Sequence, residues 1–269
     1  MRAGNPALNG RTFRGMPRAA DPADAMTLAG TVHRTALLLA IVILAAGWAW
    51  WNFDPSAPAA MRGLMLGGGL AALALGVLTV WKKAWSPVTA PLYAAAKGVL
   101  LGSASALGEA NYPGVVVQAV ALTLAALAVL LLAYRTGLIR VGKRFRQAVA
   151  VGVGAIVLVY VVNLGMRLLG LEGFGFLHEG SIASIVFGLF AVTMASMALL
   201  VDFDFVERGV ARGADDVMEW FAAFGLVVTL VWLYLEMLRL LRRFGVRRRQ
   251  AARPRRPAAG AGPAARRVP

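Results

Sequence analysis

The sequence predicts an all-α membrane protein, a polytopic bundle of helices that crosses a lipid bilayer several times. Of its 269 residues, 59% are hydrophobic and only 15% are charged, whereas soluble domains are about 45–50% apolar and about 25% charged. The mean hydropathy is +0.68. The apolar residues also form segments of about 20 residues, the length that a helix needs to cross a hydrocarbon core about 30 Å thick.

Seven such segments follow one another along the chain. Backbone groups in lipid must be hydrogen-bonded within the protein, and helices satisfy them inside each segment. None of the segments alternates between apolar and polar residues as the strands of a spanning barrel do. Turn signals separate the segments, such as "GEANYPG" after the third. The predicted spans are Thr35–Trp51, Met61–Trp81, Pro87–Leu107, Pro113–Tyr134, Gln147–Leu169, Ile182–Val201 and Met218–Leu241.

The spans divide the chain into three parts. We predict a basic cytoplasmic N-terminal tail over residues 1–34, a seven-helix domain over 35–241 and a disordered basic C-terminal tail over 242–269. The net charge of +15 lies mainly in the tails and one internal loop. Anionic lipid headgroups explain this pattern, and no base-stacking or recognition motif points to nucleic acid.

Several chemistries are not expected. The chain has no cysteine, which excludes disulfides, thiolate metal sites and cysteine nucleophiles. We found no recognisable catalytic constellation in the sequence, so we expect neither an enzyme nor a cofactor. The lipid bilayer is the expected partner of the apolar surface.

The positions of Lys and Arg predict the orientation of the chain and then produce a conflict. With the N-terminus inside, most basic residues of the loops also fall inside, as the positive-inside rule requires. A seventh crossing would place "RRFGVRRRQAARPRR", the most basic stretch, outside. Either the last segment crosses and the tail breaks the rule, or one segment is re-entrant.

Lys97 lies near the middle of the third predicted span. It is about 15 Å from either end of the span at the rise of an α-helix, too deep for its side chain to reach the headgroups. We expect it to face the bundle and to pair with a carboxylate of Asp204, Glu109 or Glu236. For Glu109 itself, a solvated position in the loop that follows is the competing interpretation.

The sixth predicted span ends in an acidic stretch, "LVDFDFVERG". Asp202 and Asp204 are two residues apart, about 200° around a helix, and so cannot face the same partner. Asp204 shares a face with Glu207 and Arg208 instead. Three interpretations compete, namely charges at the membrane boundary, an ion site and a proton-sensitive latch.

Several ordered blocks resemble the bacterial branch of the Bax inhibitor-1 family, the transmembrane Bax inhibitor motif family. The resemblance covers about residues 5–241 and is carried by "WKKAWSPVTAPLYAAAKGVLLG", "EANYPGVVVQAVALT", "LVDFDFVERG" and "FGLVVTLVWLYLEMLRLL". It implies a seven-helix bundle with the last helix at the centre. It also implies a pH-sensitive Ca²⁺ leak, in which an aspartate ending the sixth helix shares a proton with an aspartate of the seventh.

Carried onto this sequence, the resemblance makes Asp204 the sixth-helix aspartate and the expected Ca²⁺ ligand. The seventh-helix partner falls at Thr229, which is not acidic. Lys97 also departs from the branch, where an acidic residue is expected. The shared-proton pair is therefore broken, and we expect gating near neutral pH to be weaker or absent.

Two functions remain open at this point. The first is a leak for Ca²⁺ or another cation in a bacterial cytoplasmic (inner) membrane. Its pathway residues would be Asp204, Asp202, Glu207, Lys97, Thr229, Glu109 and Glu236. The second is a non-transporting regulator that binds a membrane protease or a stress-response partner through its basic loops and tails.

Overall fold

The structure is a computed structural model that describes residues 19, 21, 24–54, 56–174 and 181–251, with only the backbone for residue 58 and residues 248–251. These residues form seven α-helices and one isolated β-bridge. The predicted all-helical bundle is confirmed. The helices are α1 (Leu28–Trp51), α2 (Pro58–Trp81), α3 (Ser86–Asn111), α4 (Val115–Arg135), α5 (Lys143–Leu168), α6 (Ile182–Val210) and α7 (Val217–Ala251).

Six of these helices are long and apolar enough to cross a membrane, and α3 is the exception. Its 26 residues give it the length, but its sequence is less apolar. The reason lies in its surroundings, because α3 packs against α1, α2, α4 and α7. A helix that faces protein tolerates small and polar residues in place of an apolar surface.

Two glycines of α3 set its close approach to α1. A Cβ atom on Gly98 would collide with the backbone of Val42, and one on Gly102 would collide with the backbone of Ala46. Small residues at such positions let two helix backbones touch. The stretch "KGVLLG" therefore fixes the position of α3, including that of Lys97.

Helix α7 lies at the centre of the bundle, as predicted. It packs against α1, α3, α4 and α6, and Phe221, Val227 and Leu233 are fully buried within it. A helix with neighbours on all sides must be apolar around its whole circumference. Polar residues on α7 consequently stand out as positions that need an explanation.

Helix α7 runs the full length of the bundle. Near its start, the Glu219 carboxylate accepts hydrogen bonds from the backbone N–H of Thr27 at 2.6 Å and from its hydroxyl at 2.9 Å. Near its other end, Arg243 Nη1 donates to the carbonyl of Ser184 at the beginning of α6, at 2.6 Å. We call the end where α1 begins the N-terminal end and the opposite one the C-terminal end. This path favours a seventh crossing over a re-entrant segment.

The largest differences from the predicted spans are at three helix boundaries. Helix α1 begins at Leu28, inside the predicted tail, because the Thr27 side chain caps it by accepting from the N–H of Gly30 at 2.9 Å. Helix α6 continues to Val210 and α7 to Ala251. Both outrun their apolar segments because charged side chains find protein partners along them. Residues 1–18 and 252–269 of the predicted tails lie outside the described residues.

Candidate functional site at the α6–α7 contact

Asp202 places a carboxylate inside the bundle, where α6 meets α7. The residue is fully buried, and Thr229 Oγ1 of α7 donates a hydrogen bond of 2.5 Å to its Oδ2 atom. Thr229 is itself 2% exposed. An ionisable group at such a position is costly and marks a functional site by default.

The resemblance implies that Asp204 is the sixth-helix aspartate that meets position 229, whereas in the structure Asp202 accepts the hydrogen bond from Thr229. Asp202 is three residues from Leu199 and from Phe205, which are both fully buried, and residues at this spacing share a helix face. Asp204 lies half a turn away and points toward α5. The two aspartates thus separate as their spacing predicts, but the inward one is the first of the pair.

Asp204 joins α5 to α6 through two arginines. Its Oδ2 atom lies 3.0 Å from Arg146 Nη1 of α5 and 2.8 Å from Arg208 Nη2, one turn further along α6. The Asp204 side chain is 16% exposed. Its predicted role as the pathway carboxylate has less support than that of Asp202, because a cation would have to displace two guanidinium groups.

Glu207 faces a third helix. Its Oε2 atom accepts a hydrogen bond of 2.7 Å from the hydroxyl of Tyr134 on α4. The three acids of "LVDFDFVERG" therefore contact three different helices. Asp202 meets α7, Asp204 meets α5 and Glu207 meets α4, which explains how so many charges are placed at the end of one span.

Glu236 forms a second buried acidic site, between α7 and α5. The residue is fully buried and its carboxylate accepts hydrogen bonds from Tyr160 at 3.1 Å, Trp232 Nε1 at 3.1 Å and Arg239 Nη1 at 2.7 Å. Glu236 is among the residues predicted from the sequence, but its three partners are not. The spacing of Trp232 and Arg239, one turn before and one turn after Glu236, was the available signal.

Lys97 does not have the predicted carboxylate partner. Among the described residues it forms no ion pair, and its Nζ atom lies 6.0 Å from the centre of the Tyr93 ring. Asp204 and Glu236 are paired with arginines instead. Glu109 accepts hydrogen bonds from the backbone N–H groups of Gly114 at 2.5 Å and Val116 at 3.1 Å, so its carboxylate serves the first turn of α4.

A further cluster, which the sequence reasoning did not identify, ties α1 to α7 at the N-terminal end. Arg34 Nη1 lies 2.7 Å from Glu219 Oε2, and Arg34 Nη2 lies 3.2 Å from Asp216 Oδ2. The guanidinium also lies 5.3 Å from the centre of the Trp220 ring. The sequence analysis places Arg34 at the end of the polar tail, whereas the structure places it on α1.

The described residues contain no group of three or more His, Cys, Asp or Glu side chains arranged to hold a metal ion. Asp204, the predicted metal ligand, has two arginines at its carboxylate. The described part of the chain offers a cation isolated buried carboxylates at helix contacts, such as that of Asp202, and no cluster of them. An isolated carboxylate can attract an ion in transit, whereas a resident Ca²⁺ takes six to eight oxygen ligands.

The long apolar helices, the central α7 and the buried acids on α6 and α7 define a polytopic α-helical membrane protein with ionisable groups inside the bundle. The family model described as "Bax inhibitor 1 like" matches residues 5–245. Because the match covers nearly the whole chain, the protein belongs to this family, and the resemblance seen in the sequence is confirmed. No curated protein and no solved structure matches the chain.

Proposed function

We propose that the protein is a cation leak, with Ca²⁺ as the first candidate ion, and that Asp202 and Thr229 form the closed gate between α6 and α7. The observation that carries this proposal is the fully buried Asp202 carboxylate at a contact between two membrane-spanning helices. Buried ionisable groups of this kind mark ion pathways. Carboxylate and hydroxyl oxygens also suit a hard cation such as Ca²⁺.

The charges at the N-terminal end of the bundle support a slow leak rather than a fast channel. Arg146 and Arg208 flank Asp204 next to the gate. Arg140 is exposed in the adjoining loop and Lys143 is exposed at the start of α5. A cluster of positive charge lowers the local concentration of cations. An ion that passes the Asp202 carboxylate would therefore meet an electrostatic barrier at this end.

The identity of residue 229 bears on pH sensitivity. Two facing carboxylates can share a proton, because both cannot ionise at close range. The hydroxyl of Thr229 supplies no second carboxylate to this contact. We therefore expect the leak to respond weakly to pH between about 6 and 8.

The test is Ca²⁺ flux into liposomes that contain the purified protein, at pH 6 and pH 8. We expect a slow leak from the unmodified protein. Asp202→Asn should lower the flux about tenfold, the effect of about 1.4 kcal/mol on the barrier, because it removes the charge that attracts the ion. Thr229→Val should raise the flux, because it removes the hydrogen bond of the gate and keeps the carboxylate.

Asp204→Asn is the matched control for this test, since it removes a neighbouring aspartate that faces α5. Its flux should stay within about twofold of the unmodified protein, the change expected from an ion pair near the protein surface. Absence of flux from all four proteins would overturn the proposal. An equal effect of Asp202→Asn and Asp204→Asn would remove Asp202 from the pathway.

A regulator without transport activity is the second candidate. The observation that favours it is the exposed basic surface where α4 ends and α5 begins, with Leu138 of the loop 81% exposed. Its exposed basic residues are Arg135 at the end of α4, Arg140 in the loop, and Lys143 and Arg144 at the start of α5. An anionic protein surface could bind there. Replacing the four basic residues by Ala should then abolish the cellular function and leave the flux in liposomes unchanged, whereas a leak function would survive this change.

A further inference from the structure

A groove on the lipid-facing side of the bundle contains Lys97. The groove lies between α2 and α7 with α3 as its floor, and its volume is about 600 Å³, within the range of small-molecule sites. Its lining is apolar apart from Lys97 and Tyr93. Gly76 of α2 leaves space beside two lining residues, since a Cβ atom there would lie 3.5 Å from the Tyr93 ring and 3.8 Å from the Phe224 ring.

Lys97 stands at the deep end of this groove. It lies near the middle of the 26-residue α3, about 16 Å from the first residue at the rise of an α-helix. At the other end of the groove is Trp81, the last residue of α2, which is 82% exposed. The lining of α2 from Gly69 to Trp81 is about 18 Å long. The groove thus runs from one end of α2 to the depth of Lys97.

The protein itself does not neutralise this lysine. Among the described residues no carboxylate forms an ion pair with Lys97, since Glu236 is bound by Arg239 and Asp204 by Arg146 and Arg208. An ammonium group inside a membrane protein normally pairs with an anion. An anionic ligand in the groove would supply the missing charge.

We propose that the groove binds a long-chain fatty acid, with its carboxylate on Lys97 and its acyl chain along α2 toward Trp81. The apolar lining fits the chain, and the one cation fits a ligand with one acidic group. A phospholipid fits less well, because its phosphate stays at the interface, about 15 Å from the centre of a hydrocarbon core 30 Å thick. A fatty acid has only a carboxyl group to bring to this depth. This site is separate from the Asp202–Thr229 gate and does not depend on the cation leak.

The test uses quenching of tryptophan fluorescence by a brominated fatty acid, 9,10-dibromostearate. The full-length protein is placed in bilayers of neutral lipid, and the quencher is added at low mole fraction. We expect a saturable component of quenching that comes from Trp81 and is lost in Trp81→Phe. Lys97→Met should weaken binding about 10- to 100-fold, the effect of removing a hydrogen bond to a charged group, whereas Lys97→Arg should retain binding.

Two further variants separate the groove from other effects. Gly76→Leu keeps Lys97 and fills the groove, because a Cβ at this position meets the Tyr93 ring at an ordinary contact of 3.5 Å. It should abolish the saturable component. Arg62→Met removes a cation at the start of α2 and should change nothing. Unaltered thermal stability of each variant shows that loss of binding does not reflect loss of the fold.

The ligand source is tested with two analogues of the quencher. The methyl ester of dibromostearate lacks the charge. It should therefore give no saturable component of tryptophan quenching that depends on Lys97. Dibromo-phosphatidylglycerol should not compete with the free acid. The proposal is overturned if the acid quenches the fluorescence of Lys97→Met as it does that of the unmodified protein. It is also overturned if the ester binds as well as the acid, or if the phospholipid displaces the acid.

Discussion

Asp202 and Glu236 are both fully buried carboxylates, yet the protein surrounds them differently. Glu236 receives hydrogen bonds from three side chains, one of them the guanidinium of Arg239 at 2.7 Å. Asp202 accepts a hydrogen bond from the neutral hydroxyl of Thr229 across the α6–α7 contact. Breaking one partner out of a buried ion pair costs about 3–5 kcal/mol, whereas a hydrogen bond from a neutral hydroxyl to a carboxylate contributes about 1.5–3 kcal/mol. The first arrangement suits a fixed part of the bundle, and the second suits a contact that opens.

The largest loss of stability is expected at the Glu236 cluster. Glu236→Leu should destabilise the protein by about 3 kcal/mol, because it removes the fully buried carboxylate that accepts hydrogen bonds from Tyr160, Trp232 and Arg239. The measurement is the unfolding midpoint of the purified protein in detergent. The double variant Glu236→Leu, Arg239→Leu should recover part of the loss, since the partly exposed Arg239 side chain then no longer lacks its carboxylate. A double variant as unstable as the single one would show that packing around Glu236, not its charge, holds α5 to α7.

The next largest effect is expected on the pH dependence of the Ca²⁺ flux, at the contact between Asp202 and Thr229. Thr229→Asp would place a second carboxylate opposite Asp202 and create the pair that can share a proton. At pH 6 the shared proton should hold α6 against α7, and at pH 8 repulsion between the two charges should part them. We expect the Ca²⁺ flux of this variant to rise about tenfold from pH 6 to pH 8, equivalent to about 1.4 kcal/mol.

Thr229→Asn is the control for that measurement, because it adds a polar side chain of similar size to Asp that does not titrate. Its flux should depend on pH as weakly as that of the unmodified protein. A strong pH response in both Thr229→Asn and the unmodified protein would place the pH sensor elsewhere in the bundle.

The sequence predicted the membrane bundle well because its long apolar runs are a strong signal for spanning helices. A run of about 20 apolar residues has few alternatives to a spanning helix. The position of α3 was found from the same signal, although its small residues, such as Gly98 and Gly102, lower its hydropathy below that of the other helices. The ends of α6 and α7 were placed too early because the prediction stopped where the apolar residues stop. Tertiary contacts to Asp204 and Arg243 carry both helices further.

The candidate site was predicted less well, and for a physical reason. Spacing along α6 showed that Asp202 and Asp204 must face different ways, but spacing does not say which of them faces α7. That choice depends on how α6 is rotated against its neighbours. Likewise, Lys97 was recognised as too deep to be a surface residue. Its partner could not be predicted, because the arginines that occupy Asp204 and Glu236 come from α5, α6 and α7.

A smaller effect is expected from the ion pairs beside the gate. Arg146→Met removes one of the two arginines of Asp204 and leaves Arg208 in place. Because these groups are partly exposed, the loss of stability should be at most about 1 kcal/mol. Unfolding midpoints at low and high salt would measure it, and the difference from the unmodified protein should shrink at high salt. A loss as large as that of Glu236→Leu would mean that Asp204 lies in a drier environment than its 16% exposure indicates.

The smallest loss of stability is expected at Glu207, the last acid of "LVDFDFVERG". Tyr134→Phe removes the hydroxyl that donates to Glu207 at 2.7 Å and keeps the ring that packs against Phe203 at 5.8 Å between centroids. Because Glu207 can turn to water once the hydroxyl is gone, we expect a loss of at most about 0.5 kcal/mol and an unchanged Ca²⁺ flux. Unfolding midpoints and liposome flux on the same preparation would test both expectations. A changed flux would place the α4–α6 contact within the gate, and the contrast between an opening α6–α7 contact and a fixed remainder would then fail.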